Sequence, residues 1–213
     1  MELPDRGTIE AFAVIVDINE FAGMVSKSTK NDNIAHFICD ILLGSIRIVE
    51  QNGGIVVGIM GDAFLAVFDN VDSVYMSCIG IAKDIDRLCE YISDHQKSFP
   101  KDWHYAKGGA GVKIGIEYGW IDITTMHTDM LGYQKLLIGP PINYASRITS
   151  SGRGNRCHVG TEAMKHGMSQ WQNSRRHIKS GKRGEKKYSF WKMDLGSIWR
   201  EGVIEKNEDT YLG

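Results

Sequence analysis

The sequence lacks an apolar run that could cross a membrane, since none of its 213 residues belongs to a stretch of roughly 18 to 20 apolar residues. Its first ten residues, MELPDRGTIE, also lack the basic and apolar regions of a signal peptide. Charge of one sign is not in excess either, because 25 Lys+Arg stand against 26 Asp+Glu. We therefore expect a cytoplasmic protein with no membrane association and no stable nucleic-acid partner.

The sequence also lacks a C-x-x-C motif and internal sequence repeats. The chain has four cysteines without a C-x-x-C pair: Cys39, Cys78, Cys89 and Cys157. Three of them fall in apolar helix or strand patterns, which predicts reduced, buried thiols. The length and the 42% hydrophobic content predict one domain over residues 1–195, a C-terminal tail over residues 196–213, and no attached sensor.

Hydrophobic periodicity predicts a mixed order of strands and helices. The expected elements are a strand over 12–16, helices over 31–52, 74–92 and 142–149, hairpins over 55–60 with 63–68 and over 112–117 with 120–123, and strands near 157–160 and 188–193. The segment that leads to Gly139 is expected to be irregular. This order predicts an α+β fold of the ferredoxin-like (palm) type, with a mainly antiparallel sheet and helices packed on one face.

Two aspartates are expected at the ends of neighbouring strands. Asp17 follows the first strand, and Asp62 lies in the turn of the first hairpin. Magnesium and manganese ions at phosphoryl-transfer sites are commonly held by one or two carboxylates together with substrate phosphates. Local structure explains each residue equally well, because residues 17–20 spell a capping box and Gly-Asp is ordinary turn chemistry. A metal site and a structural role both remain open at this point.

An amide and a guanidinium are expected on one face of the short helix. Asn143 and Arg147 are four residues apart, and the arginine fork matches phosphate oxygens at a transition state that gains negative charge. The alternative is an exposed arginine beside a helix-start asparagine. The basic stretch over residues 175–187, RRHIKSGKRGEKK, could hold terminal phosphates or be a solvated basic hairpin.

These stretches together resemble the catalytic domain of the class III nucleotidyl cyclases, the family of adenylyl and guanylyl cyclases. VIVDINEFAGM resembles the first strand and metal loop of the family, GIMGDAFLAVF its second metal hairpin, VKIGIEYGWI its next strand pair, and GPPINYASRI its Asn and Arg helix. The resemblance spans nearly the whole chain. It implies conversion of a nucleoside triphosphate to a 3′,5′-cyclic monophosphate and pyrophosphate with two divalent cations, Mn²⁺ or Mg²⁺.

The resemblance also implies roles for individual residues. Asp17, Asp62 and the main-chain carbonyl of Ile18 would hold the metals, Asn143 would orient the ribose, and Arg147 would stabilise the transition state. Active sites of the family lie between two subunits, with the metals on one and the Asn and Arg on the other. A homodimer with two shared active sites is therefore expected.

Departures from the family pattern bear on the substrate. The phosphate-binding lysine maps to Lys182 or Lys179, with Lys182 preferred. In the family, side chains at two positions hydrogen-bond the purine base. These positions correspond to Gly58 and Leu136 in this sequence, so neither the adenine nor the guanine pattern is present. Glu20 replaces a glycine of the metal loop, which disfavours a close approach of the backbone to the triphosphate.

A short cyclase without either purine pattern resembles the bacterial Pycsar pyrimidine cyclases, which make cyclic UMP or cyclic CMP as an antiphage signal for a separate effector. This resemblance implies UTP as the preferred substrate. Met60, Phe64 and Tyr133 are candidates for contracting the base pocket, and none of them is assigned. Two alternatives stay open: a purine cyclase with atypical base contacts, and a catalytically silent cyclase-like domain that binds a nucleotide as a regulator.

Overall fold

The computed structural model describes residues 1–19, 21, 31–94, 111–130, 132–151, 156–170, 175–179 and 188–194. The elements in these ranges are β1 (Gly7–Ile18), α1 (Asn31–Gln51), β2 (Ile55–Met60), β3 (Ala63–Phe68), α2 (Val71–Asp94), β4 (Val112–Thr128), β5 (Gly132–Ile138), α3 (Pro140–Thr149), β6 (Arg156–Gly160), α4 (Thr161–Lys165), β7 (Arg175–Lys179) and β8 (Tyr188–Asp194). No helix in these ranges combines the length and apolarity needed to span a membrane.

The strands form one eight-stranded sheet with the order β2-β3-β1-β4-β6-β8-β7, and β5 pairs with β4 outside this path. All neighbours are antiparallel except β4 and β6, which are parallel. β1 lies near the centre because its residues 11–16 are apolar and buried at every position, as expected for a strand covered on both faces. The predicted α+β fold with a mainly antiparallel sheet is confirmed.

Helices cover both faces of this sheet. On one face, α1 and α2 pack on β1, β3 and β4 through a cluster that includes Val14, Val16, Ile41, Phe64, Ile81 and Ile114. On the other face, α3 packs on β1 and β4 through a cluster that includes Ala11, Ala13, Ile15, Ile121 and Ala145. The prediction of helices on one face is therefore wrong for α3, because alternate side chains of β1 point to opposite faces and both sets are apolar.

The second hairpin turns later than predicted. β4 continues through Tyr118 and Gly119, and Ala11 of β1 stands opposite Gly119. Gly119 has a φ of 154°, which glycine adopts more readily than other residues, and it lies close to the ring of Pro141 in α3. The glycine therefore lets the strand continue beside the first turn of this helix. The chain reverses only after Thr128 and returns as β5, in the segment that we expected to be irregular. Pairing with the 12 residues of β1 keeps β4 extended past the Tyr-Gly pair.

The cysteine prediction is correct in part. The structure describes Cys78 and Cys157 as buried and free, and Cys39 as free but exposed. Cys39 lies on the outer side of α1, whereas the neighbouring Ile41 and Leu42 face the core. The predicted tail over residues 196–213 lies outside the described residues.

Candidate active site

The end of β1 and the β2–β3 turn bring two carboxylates to one edge of the sheet. Asp17 stands opposite Ala63 in the β1–β3 ladder, and Asp62 directly precedes Ala63. The turn is tight because Gly61 has a φ of 66°, which suits glycine. The backbone N–H of Ile18 donates to the carbonyl of Asp62 at 3.0 Å, which holds the turn against the end of β1. The two aspartates chosen from the sequence are thus neighbours in the fold.

A lysine that the sequence analysis did not identify joins this edge. Lys113 stands opposite Asp17 in the β1–β4 ladder, and its Nζ lies 3.0 Å from Oδ1 of Asp17. Burial raises the pKa of Asp17 above its ordinary value, Lys113 opposes this shift, and the negative charge of Asp62 adds to it. Lys113 lies within the VKIGIEYGWI stretch, but only the strand register reveals that it faces Asp17.

The donor set at this edge fits divalent cations. The negative charge of Asp62 contributes to the raised pKa of Asp17, and a divalent cation beside the two carboxylates would offset this repulsion. The described residues contain no cluster of three or more His, Cys, Asp or Glu side chains that could enclose an ion alone. Such a site suits Mg²⁺ or Mn²⁺, which commonly take one or two carboxylates and complete their coordination with substrate phosphates and water. Asp17, Asp62 and the carbonyl of Ile18 would hold the ions.

α3 presents Asn143 and Arg147 on its exposed side. The helix begins with two prolines, whose fixed φ suits the first turn. Its opposite side is buried against the sheet. α3 approaches β4 closely because Gly115 has no side chain; a Cβ there would overlap the hydroxyl of Thr149 and the carbonyl of Ala145. This packing leaves both predicted residues at the surface, four positions apart on one side of the helix.

Asn143 and Arg147 line a cleft of about 440 Å³ between α3 and the β4–β5 hairpin. Asp122, Ile138, Pro140 and Tyr144 also line it. The hydroxyl of Tyr144 donates to the carbonyl of Ser189 at 2.8 Å and accepts from its N–H at 3.1 Å, which ties α3 to β8. An amide, a guanidinium and a carboxylate therefore share one cleft. The two hydrogen bonds between Tyr144 and Ser189 hold α3, which forms one wall of this cleft, against β8.

Within the single chain, the two halves of the predicted site lie in different places. The carboxylate edge belongs to β1 and to the β2–β3 turn. In the described part of the chain, the residues that line the α3 cleft include neither Asp17 nor Asp62. The structure thus pairs Asp17 with Asp62 and pairs Asn143 with Arg147, but it does not bring the two pairs into one cleft.

The predicted base-pocket positions differ in exposure. Gly58 lies on the edge strand β2, and a Cβ placed there would meet no atom within 4 Å. Leu136, Tyr133 and Met60 are exposed to 38%, 78% and 54%. Phe64 is fully buried in the cluster under α1 and α2, so it is excluded as a base-pocket residue. Phe64 faces α1 and α2 because successive side chains of β3 point to opposite faces of the sheet; the next residue, Leu65, is buried in the cluster on the other face.

The candidate phosphate-binding lysines are described only in part. Lys179 is the last residue of β7, where it stands opposite Tyr188 of β8. The strand β7 occupies the first part of the basic stretch over residues 175–187, for which a phosphate-binding segment and a solvated basic hairpin were the two alternatives. Lys182 and Glu20 lie outside the described residues.

Solved structures of nucleotide cyclases have a similar fold. The guanylyl cyclase Cya2 gives a TM-score of 0.73 at 11% identity, over 89% of this chain and 93% of that chain. The adenylyl cyclase CyaB from P. aeruginosa gives 0.62 at 14%, over 90% and 97%. The non-canonical dimeric guanylyl cyclase domain of the RhoGC fusion protein from the aquatic fungus Blastocladiella emersonii gives 0.60 at 20%, over 90% and 98%. At these identities the comparison establishes the fold.

The family is identified by the sequence match. No curated protein sequence matches the chain. Residues 8–193 match the family described as the Adenylate and Guanylate cyclase catalytic domain. This range contains both aspartates of the carboxylate edge and both exposed residues of α3, and enzymes of the family generally depend on divalent metal ions. The chain belongs to the adenylate and guanylate cyclase catalytic domain family.

Proposed function

We propose that the protein converts a nucleoside triphosphate, preferably UTP, to the 3′,5′-cyclic monophosphate and pyrophosphate by a two-metal mechanism. The observation that carries the proposal is the placement of Asp62 beside Asp17 at a strand edge that fits divalent cations. Asn143 and Arg147, which share a cleft on α3, complete the set of groups that the reaction needs. Family membership supports the same reaction class.

The chemistry is an in-line displacement at the α-phosphorus. The ribose 3′-oxygen forms a bond to this phosphorus, the bond between the phosphorus and the bridging α–β oxygen breaks, pyrophosphate leaves, and the hydroxyl proton passes to solvent. Asp17 and Asp62 would hold the divalent cations, which when bound would supply Lewis-acid chemistry for the reaction. Asn143 orients the ribose through its amide, and the fork of Arg147 donates to the phosphoryl oxygens as their charge increases. Lys182 or Lys179 binds the terminal phosphates.

The preference for UTP rests on the two positions where the family reads a purine. Gly58 has no side chain, and Leu136 offers no hydrogen bond to a base edge. The side chains with which the family hydrogen-bonds adenine or guanine are therefore absent, which removes the contacts that favour a purine over a pyrimidine. The exposed Met60 and Tyr133 supply apolar and aromatic surface for a base without purine-specific polar contacts.

A direct assay tests both the reaction and the base. Purified protein is incubated with ATP, GTP, CTP or UTP and with Mn²⁺ or Mg²⁺, and products are separated by chromatography. We expect cyclic UMP as the main product. Cyclic AMP or cyclic GMP as the main product would contradict the pyrimidine preference and favour a purine cyclase. Tight binding of a nucleotide without turnover under either metal would favour a silent regulatory domain.

The metal assignment is tested by Asp62→Ala. Because this change removes one of two carboxylates at the candidate metal edge, we expect turnover to fall at least about 100-fold, in line with the loss of an essential charged contact of several kcal/mol. Asp40→Ala is a matched control. Asp40 is an exposed carboxylate of α1, and α1 covers the face of the sheet opposite to the one on which Asp17 lies. Activity retained in Asp62→Ala would contradict the two-metal assignment.

We further propose that the cyclic nucleotide is a second messenger for antiphage defence, read by a separate cyclic-nucleotide-binding effector. The support is the resemblance to pyrimidine cyclases of this kind. Phage plating on cells that express the chain with the effector from the adjacent gene tests the idea. We expect plating to fall with the wild-type chain and to recover with Asp62→Ala, and equal plating in both would contradict the defence role.

A further inference from the structure

Asp122 lies between the base-pocket position of β5 and the exposed face of α3. In the β4–β5 ladder, Asp122 stands opposite Ile138 and Thr124 stands opposite Leu136. Asp122, Leu136 and Ile138 are exposed on one face of the hairpin, whereas Ile123 and Leu137 are buried on the other. Asp122 is therefore a diagonal neighbour of Leu136 on the same face, two pairs along the ladder, and both side chains are within reach of one ligand.

A neighbouring strand holds this carboxylate in place. Thr8 of β1 stands opposite Asp122 in the β1–β4 ladder, and its hydroxyl donates to Oδ1 of Asp122 at 2.6 Å. A carboxylate has further acceptor sites on its second oxygen, so the contact with Thr8 orients the group without exhausting it. Asp122 is also the only carboxylate among the described residues that line the cleft with Asn143 and Arg147.

The chemistry of the cleft identifies the donor that such a carboxylate would bind. An ionised carboxylate only accepts hydrogen bonds, so it needs an O–H or N–H of the nucleotide. The 3′-hydroxyl is the attacking group, and its proton leaves during the reaction. The ribose 2′-hydroxyl keeps its proton, is present in every ribonucleotide whatever the base, and lies next to the group that Asn143 orients.

We propose that Asp122, positioned by Thr8, binds the ribose 2′-hydroxyl of the substrate and thereby selects ribonucleotides over 2′-deoxyribonucleotides. This inference rests on the proposed cyclase function. Carboxylates that accept from a ribose 2′-hydroxyl are an established device for holding the sugar of a bound nucleotide. The role is one of binding and orientation, and the 3′-oxygen remains the attacking atom.

The test compares UTP with 2′-deoxyUTP, which keeps the 3′-hydroxyl. We expect Asp122→Ala to lower kcat/KM for UTP by about 10- to 100-fold, the range for loss of a hydrogen bond to a charged group. With 2′-deoxyUTP, which has no 2′-hydroxyl to lose contact with, the same variant should change kcat/KM by less than about threefold. Thr8→Val should lower kcat/KM for UTP in the wild-type background and have no further effect in the Asp122→Ala background.

Asp129→Ala is the matched control, because Asp129 is an exposed carboxylate of the same hairpin that does not line the cleft. Equal losses with UTP and 2′-deoxyUTP would overturn the proposal, and so would unchanged kinetics of Asp122→Ala in an active enzyme. A wild-type protein that cyclises no nucleotide would contradict the proposed function itself. In that case calorimetric affinities for UTP and 2′-deoxyUTP still decide the role of Asp122, since only the UTP affinity should fall in Asp122→Ala.

Discussion

His158 is a residue whose chemistry is set by its surroundings. It lies on β6 opposite Gly115 and Lys192, and its side chain is fully buried. Neither ring nitrogen has a hydrogen-bond partner among the described residues. Burial, with a smaller contribution from the charge of Lys192, lowers the pKa of His158 to about 3, although the backbone of Ile114 partly opposes the shift. The imidazole is therefore neutral and structural at neutral pH.

This residue predicts a pH dependence of stability. Histidine in an unfolded chain titrates near pH 6.5, whereas folded His158 titrates near pH 3, so between these values the unfolded state binds the extra proton. The free energy of unfolding should therefore fall as the pH decreases through this window, by up to about 1.4 kcal/mol per pH unit from this group. Urea unfolding of wild type and His158→Leu from pH 7.5 to pH 4 measures the effect.

His158→Leu should flatten the acid side of the profile. His127→Gln is the control, because His127 is an exposed histidine of the β4–β5 hairpin, and its profile should match that of the wild type. An unchanged acid slope in His158→Leu would show that His158 does not cause the loss of stability.

At the scale of elements, α3 is the part of the fold whose position matters most for the site. It carries Asn143 and Arg147, and it is seated on β4 where Gly115 leaves room for the carbonyl of Ala145 and the hydroxyl of Thr149. That hydroxyl also donates to the carbonyl of Ala145 at 2.6 Å, so the contact surface is already filled. A single methyl group on β4 would therefore push the helix outward.

Gly115→Ala is expected to lower the free energy of unfolding by about 1–3 kcal/mol, the usual cost of overpacking a filled interior, and to lower kcat by displacing Asn143 and Arg147. Thermal or urea unfolding and nucleotide turnover are the measurements. Ser146→Ala on the exposed side of α3 is the control and should change stability by less than about 0.5 kcal/mol. Stability and turnover equal to those of the wild type would contradict the close seating of α3.

α4 illustrates an element that local patterns do not reveal. It spans only five residues, Thr161–Lys165, and follows β6 directly. Buried Glu117 of β4 accepts from the backbone N–H of Ala163 at 2.8 Å and from that of Tyr118 at 3.0 Å. A glutamate from another element thus satisfies an N–H of the first turn, and the N-cap residue Gly160 makes no side-chain capping hydrogen bond.

At the scale of the whole molecule, the separation of the two half-sites favours a homodimer. The carboxylate edge lies at the end of β1, and the cleft with Asn143 and Arg147 lies beside α3. The β4–β5 hairpin also exposes large apolar side chains, including Trp120, Met126, Met130, Tyr133 and Ile138. Exposed apolar surface of this kind is typical of an interface with another chain, and we propose that a second copy covers it and supplies the missing half of each site.

Mixing two inactive variants tests this arrangement. Asp62→Ala lacks a metal carboxylate and Arg147→Ala lacks the guanidinium, so a hybrid dimer holds one site with both defects and one site with neither. Random exchange gives about half hybrids, and we expect roughly a quarter of the wild-type turnover from these intact sites. Subunit exchange is verified with differently tagged chains. Exchange without recovery of turnover would contradict shared active sites.

Local patterns in the sequence were sufficient to predict many elements and to place four candidate site residues on them. The β2–β3 hairpin has the predicted bounds, because a Gly-Asp pair between two apolar runs is a short-range signal. The helices α1 and α2 were predicted from apolar residues at three- and four-residue spacing. The predicted turn at Tyr118-Gly119 was wrong, because the same two residues fit both a turn and a continuous strand. Only the pairing of β4 with β1 distinguishes these two structures.

The sequence by itself determined the fold class, the presence of Asp17 and Asp62 at strand ends, and the spacing of Asn143 and Arg147, since periodicity and turn chemistry act over a few residues. Tertiary structure alone decided that Lys113 faces Asp17, and that Asp122 joins Asn143 in one cleft. It also decided that α3 lies on the face opposite α1 and α2. These contacts join residues far apart in the chain, and their geometry follows from the register of β1 with β4 and of β4 with β5.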